Sequence, residues 1–166
     1  MALTVEDGTR IANSNTYISL EDAETYMEDR IDATWSAATD SQKNAALIEA
    51  AMYLNSLNWK GEKVVRDQSM ELPRQNFYDG DGFEYTTSMI PARVLDAQVE
   101  AAREHLAGST LMPTQAPGDR IKRKKIDVLE KEFFASANSG ETSFTKINGL
   151  LSGLIRGSKN GVITRS

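Results

Sequence analysis

The densest chemistry in the 166-residue chain is a run of cations: Arg120, Lys122, Arg123, Lys124 and Lys125, five in six residues. Spaced this way they can follow a phosphate backbone and give salt-dependent affinity without base preference. A β-hairpin would send alternate cations to opposite faces, leaving about half of them for any one surface. Trp35, Trp59, Phe77 and Tyr85 are candidate stacking platforms for single strands, because every base offers a face to an aromatic ring. None of the four lies in the basic run, and large aromatics scattered among helices more often fill a core.

Other constellations carry less. Asp79, Asp81 and Gly82 faintly resemble a calcium loop, which needs glycine at position six and a bidentate glutamate at position twelve; counted from Asp79, these positions hold Glu84 and Ile90. Asp-Gly pairs flanked by aromatics fit a tight turn instead. His105 is the single histidine and falls late in a helical pattern, where the helix dipole favours a cation. No motif supplies it with a nucleophile or an acid partner. GxSxG, a phosphate-binding glycine loop and HExxH do not occur. Ser152-Gly153 falls inside a helical pattern without the signature of a nucleophile elbow. Neighbouring acids such as Glu28-Asp29 are expected on solvated faces of a chain with 24 acidic residues. Cysteine is absent, which removes disulfides, thiolate zinc sites, iron–sulfur clusters and thiol catalysis. The residues point to no enzyme.

The elements that must position these groups are mainly helical. Ser19 is a good N-cap, followed by Glu21 and Asp22 in the first turn and by Leu20, Ala23, Met27 and Ile31 at spacings of three and four. Thr39 and Gln42 form a capping box ahead of the stripe Ala46, Leu47, Ala50, Ala51, Leu54 and Leu57. From Asn58 to Ser88 the helical pattern breaks, and the turn at Asp79–Gly82 predicts a small hairpin or ordered loop. A third helix opens at Pro91 and closes near Gly108, with Val94, Leu95, Ala97, Ala101, Ala102 and Leu106 on its apolar face. The stretch TLMPTQAPGD is a connection. RIKRKKIDVLEKEFF alternates in a way that favours a β-hairpin turning near Asp127, although Val128, Leu129 and Phe133 also fit one helical face. A last helix is expected from about Ser143 to Arg156, with Ile147, Leu150, Leu151, Leu154 and Ile155 as its stripe.

Composition agrees with a globular chain. Hydrophobic residues make up 40% and charged residues 26%, and no apolar run approaches the roughly 20 residues of a membrane span. The N-terminus lacks the pattern of a signal peptide, so a soluble protein made in the cytoplasm is expected. The net charge of −5 is unevenly spread. Up to Gly118 there are 9 Lys/Arg against 19 Asp/Glu, and from Asp119 onward 10 against 5. An acidic body with a basic final third implies two surfaces that meet different partners.

These residues fall into a recognisable order. VEDGT at Val5–Thr9, NSNTYISLEDAETYM at Asn13–Met27, Trp35 and NAALIEAAMYLN at Asn44–Asn55 resemble the start of a family found in tailed-phage genomes. The resemblance continues through Trp59-Lys60-Gly61, Leu72-Pro73-Arg74, the Asp79–Gly82 turn, Ile90-Pro91 and the helix that follows. It covers about Val5 to Gly108, and later segments match in layout more than in residues. The family is often labelled DnaT-like single-stranded-DNA-binding protein, and its members look like head–tail adaptors, helical subunits that form a ring beneath the portal of a DNA-filled capsid. Where relatives tend to have Gly-Pro at the hairpin turn, this chain has Asp127-Val128.

The resemblance implies a small bundle of about four helices with one or two short β-hairpins and extended N- and C-terminal arms. It divides the chain into an N-terminal arm (1–16), a helical adaptor core (17–110), a linker with the basic hairpin (111–135) and a C-terminal helix and arm (136–166). It implies no cofactor and no metal. Expected partners are the portal protein, a tail or stopper protein and further copies in a dodecameric ring, with packaged duplex DNA passing through the lumen without sequence-specific binding; no membrane is involved. By analogy, Ile147, Leu150, Leu151, Leu154, Ile155 and Arg156 would grip the portal, unless the apolar stripe packs on its own domain. The cations from Arg120 to Lys125 would meet DNA or an acidic partner. The virion neck is the expected location, and a single-strand-binding replication accessory is the alternative.

Overall fold

Alanine sets the distance between the two helices that carry the body. The computed structural model describes residues 2–112 and 144–156, together with the backbone of two short strands at 125–126 and 129–130. Within it α3 (Asp40–Asn55) buries Ala46, Leu47, Ala50, Ala51 and Leu54, and α4 (Ala92–Leu106) buries Val94, Ala97, Val99, Ala101 and Ala102. These two helices share the largest interface of the fold. Small side chains on both faces let the axes approach closely. The fold is mainly helical, with short antiparallel strand pairs at its edges. No helix among the described residues is long and apolar enough to cross a membrane.

Local chemistry explains where the helices begin. The expected capping box is present: Gln42 N–H donates to Thr39 Oγ1 at 3.4 Å and Thr39 N–H donates to Gln42 Oε1 at 2.9 Å. Ser19 caps α1 (Leu20–Glu28), its hydroxyl oxygen accepting from Asp22 N–H at 3.1 Å. The stripe expected to run on to Ile31 stops at Met27. Ile31 lies beyond the helix with φ of 51° and is 90% exposed, because the chain turns there into a short helix that sequence periodicity does not announce. That helix, α2 (Ala33–Ala37), puts Trp35 into the core.

Asp32 starts α2 and ties it to α4. Its carboxylate accepts from Trp35 N–H at 2.8 Å and from Arg103 Nε at 3.1 Å. Partial burial works against its ionisation, and the Trp35 N–H and the Arg103 guanidinium outweigh it, so the carboxyl is held below its usual value of 3.8. A depressed carboxyl contributes stability above its unfolded pKa and loses it as pH falls through the folded one. An asparagine in its place would still cap the helix but could not form the ion pair with Arg103. In the Asp32→Asn variant, urea midpoints should therefore fall less steeply than in the wild type as pH drops below about 4.

Between α3 and α4 the chain makes an irregular wrap. β1 (Glu62–Lys63) pairs antiparallel with β2 (Arg74–Gln75), Glu62 opposite Gln75 and Lys63 opposite Arg74. Arg74 clamps the wrap, donating to the carbonyls of Lys60 at 2.7 Å and Gly61 at 3.1 Å and to the Glu71 carboxylate at 2.8 Å. Trp59 donates its indole N–H to the Leu54 carbonyl at 2.8 Å and meets Phe77 edge-on. Phe77 also lies against Tyr85.

Two buried polar groups order the extended first segment: Glu6 folds it on itself, and Gln98 ties it to the body. The Glu6 carboxylate accepts from the backbone N–H groups of Gly8 at 2.9 Å and Arg10 at 2.7 Å, and from the Ser14 hydroxyl at 3.3 Å. Gly8 has φ of 102°, and a Cβ there would run into the Ser88 carbonyl, so only glycine allows this approach. Gln98, fully buried on α4, accepts from Tyr17 N–H at 2.9 Å and donates to Thr16 Oγ1 and to the Leu47 carbonyl, both at 2.8 Å. One side chain thus joins the N-terminal segment, α3 and α4.

Beyond α4, β3 (Lys125–Ile126) pairs antiparallel with β4 (Leu129–Glu130), Ile126 opposite Leu129. This register is the one a hairpin turning near Asp127 requires. The remainder of the linker and of the hairpin lies outside the described residues, as does the tail from 157 to 166.

Candidate functional site

The expected C-terminal helix is shorter than its apolar pattern. Residues Thr145–Leu150 form α5, and Leu151 to Leu154 continue as turns. Gly153, with φ of 85°, takes the chain out of helical geometry. The backbone groups that a longer helix would use internally are bonded to the body: Lys60 N–H donates to the Leu154 carbonyl at 3.0 Å, and Arg156 N–H to the Asn58 carbonyl at 2.7 Å. Ile155 forms an antiparallel bridge with Trp59. The Arg93 guanidinium donates to the carbonyls of Gly149 at 3.2 Å and Ser152 at 3.1 Å, satisfying groups at the end of α5.

This anchoring sorts the six residues expected to grip a portal. Ile147, Leu151 and Leu154 belong to the chain's own core. Leu150 and Ile155 are half-buried, and Arg156 is exposed. The segment therefore exposes Arg156, Thr145 and Lys146, while Leu150 and Ile155 pack partly against the core and show only the rest of their surface. Phe144, which the sequence pattern does not single out, starts the segment by packing edge-on against Tyr53.

An ionic centre fastens the same segment from the other side. Glu100 on α4 is buried, with Lys146 Nζ at 2.5 Å and the Tyr26 hydroxyl donating at 2.9 Å. The Arg30 guanidinium lies 3.4 Å over the Tyr26 ring, and its Nε is 4.0 Å from Glu100. Burial, and then the bond to Glu100, push the Tyr26 hydroxyl above its ordinary pKa. Burial also raises the Asp96 carboxyl, opposed by Arg30 and reinforced by Glu100. Glu100, Glu104, Phe144, Thr145, Lys146 and Ile147 line a shallow cleft of about 180 Å³. Every carboxylate in it has a protein partner: Glu104 pairs with Arg103 and accepts from Ser109. The cleft is a fastening of α5 to α4.

Among the described residues, the candidate stacking rings are not presented on a common surface. Trp35, Trp59 and Phe77 are core residues, and Tyr85 is half-buried against Phe77. Arg120, Lys122, Arg123 and Lys124 lie outside the described residues, and Lys125 is placed by its backbone alone, opposite Glu130. His105 is exposed at the end of α4. Asp79 organises a turn: its Oδ1 accepts from the backbone N–H groups of Asp81 and Phe83, both at 2.9 Å.

The family described as "Putative DnaT-like ssDNA binding protein" matches residues 1–166. No curated protein and no solved structure matches the chain. With the match running from the first residue to the last, the chain belongs to this DnaT-like family.

Proposed function

We propose that the chain is a structural virion protein, a head-to-tail adaptor that forms a ring under the portal and connects the DNA-filled capsid to the tail. The observation that carries this reading is the fate of the aromatics. A single-strand binder presents rings for bases to stack on, whereas Trp35, Trp59 and Phe77 are each at most 2% exposed. The exposed rings, Tyr78 and Phe83, sit in an acidic stretch that repels phosphate. The body that buries the other three belongs to the acidic part of the chain, which repels a phosphate backbone and suits a channel through which DNA slides. The portal, a tail or stopper protein and further copies of the chain are the partners in this reading, and the virion neck is its location.

The first test is the copy number of the protein in purified virions, measured by quantitative mass spectrometry against the portal subunit. A fixed ratio near that of the portal ring is the expected result, and absence from particles overturns the reading. Portal attachment should depend on the outward residues of the C-terminal segment. Replacing exposed Arg156 with Glu should weaken attachment to purified portal rings with little change in melting temperature. Adding Leu150→Asp should bring the loss to about tenfold or more, typical of losing an interface anchor, and lower the melting temperature as well, because Leu150 packs partly on the core.

The family's description and the cations from Arg120 to Lys125 favour a second reading, a single-stranded-DNA-binding replication accessory. In that case, neutralising Lys122, Arg123, Lys124 and Lys125 abolishes binding to an oligothymidine probe and flattens its salt dependence.

A further inference from the structure

Among the described residues, nothing packs on the outer surface of the turn that Asp79 organises. Asp79 N–H donates to the Phe83 carbonyl at 2.9 Å, Tyr85 N–H donates to the Phe77 carbonyl at 2.8 Å, and Tyr78 bridges Glu84. With the Asp79 carboxylate holding the turn from inside, residues 77–85 form an ordered tip. Its inner side rests on the core through Phe77 and Tyr85. Its backbone is backed by the C-terminal segment, where a Cβ on Gly153 would lie 3.4 Å from Gly80 Cα. Phe83, 73% exposed, projects at the end of the tip, and Tyr78, 43% exposed, lies on the face it shares with Glu84, opposite Phe77 and Tyr85. Large rings held in water on an ordered turn have the composition of interface anchors.

Charge selects what covers them. No lysine or arginine occurs between Arg74 and Arg93, while Asp79, Asp81 and Glu84 are neighbours of the two rings along the chain. Nucleic acid is disfavoured on such a tip, and a basic surface with apolar side chains suits it. The chain contains that chemistry: Arg120 and Lys122 to Lys125 are interleaved with Ile121 and followed by Ile126. Cations over aromatic faces add attraction to the charge pairing. We propose that the tip formed by Tyr78, Asp79, Asp81, Phe83 and Glu84 docks onto residues 120–126 of a second copy of the chain. Two different, complementary patches on one chain make a head-to-tail contact, which closes into rings when the rotation allows. The contact deepens the adaptor reading and rests on it for its purpose, but it is measurable on the protein alone.

The test uses two full-length variants. One carries Tyr78→Ser and Phe83→Ser; the other carries glutamine at positions 120, 122, 123, 124 and 125. Phe83 and Tyr78 contribute surface rather than core, so thermal melts should show both variants folded. In sedimentation velocity at low salt, the wild type should associate with rising concentration, and each variant alone should associate about tenfold more weakly or not at all. An equimolar mixture should recover pairing, because one variant supplies an intact basic segment and the other an intact tip. A mixture no better than either variant alone, which an intramolecular contact would produce, overturns the proposal. So does a wild type that stays monomeric at every concentration, or a tip variant that associates normally and instead loses binding to an oligothymidine probe. Portal attachment is read separately: loss of pairing between copies with attachment intact discards the tip contact alone, whereas intact pairing in a protein absent from virions discards the adaptor reading alone.

Discussion

Replacing Gln98 with leucine should lower the melting temperature by about 10 °C, although leucine has nearly the same size and fits an apolar helix face. The amide satisfies Tyr17 N–H, Thr16 Oγ1 and the Leu47 carbonyl at once, in a site with no solvent access. Leucine strands the first of these completely and weakens the other two. Each buried group left without a partner costs about 1–3 kcal/mol, so a total near 3–5 kcal/mol is expected. For a chain of this size, each kcal/mol shifts the midpoint by about 2–4 °C. Hydrogen exchange at Tyr17 N–H should speed up more than exchange at the far end of α4. A drop of under 2 °C would show that the N-terminal segment is held by bonds such as Arg10 to the Thr87 carbonyl and Asn13 N–H to the Ser69 hydroxyl without help from Gln98.

Leu154→Ala should cost a comparable amount for a different reason. Leu154 is fully buried, and truncating such a side chain removes its transfer energy and leaves a partly collapsed cavity, together about 2–5 kcal/mol. The same substitution at half-buried Leu150 should cost well under half as much. Because the Leu154 carbonyl also accepts Lys60 N–H, the Lys60 amide should lose exchange protection in the first variant and keep it in the second. Equal melting temperatures for the two would contradict the placement of this segment in the core. The contrast also decides how partner attachment must be probed, since Leu154→Ala would weaken any interface by loosening the body beneath it.

Local chemistry made part of this arrangement legible. The Thr39–Gln42 box, the Ser19 cap and the alanine stripes of α3 and α4 depend on contacts within a few residues, and they appear where side-chain types place them. Gln98 escapes sequence reasoning because a polar residue in the row Val94, Gln98, Ala102 reads as an interruption of a stripe; its own position in that row was the available signal. Trp35 belongs to a helix of one turn, too short for periodicity to register, although Asp32 three residues earlier is a proper cap. The C-terminal stripe shows the opposite failure. Ile147, Leu151 and Leu154 have a helix-like spacing, yet Gly153 and the pairing with residues 58–60 override the helix after Leu150. That pairing joins residues nearly a hundred positions apart, and nothing local encodes it. The same spacing that made these residues candidates for a partner's groove also suits their burial at home, and only the position of the body separates the two uses.

The ionic and backbone fastenings of residues 144–156 have a corollary for the stretch that precedes them. The register of this segment is determined by Trp59, Lys60, Arg93 and Glu100, all of which precede residue 112. The described contacts that align this segment thus come from residues ahead of Met112. Doubling the length of the stretch joining Met112 to Phe144 would add only about 0.6 kcal/mol of closure entropy. Changes of length between those two residues should therefore leave the body and residues 144–156 in place, whereas replacing residues 120–126 should remove the proposed contact between copies and nothing else.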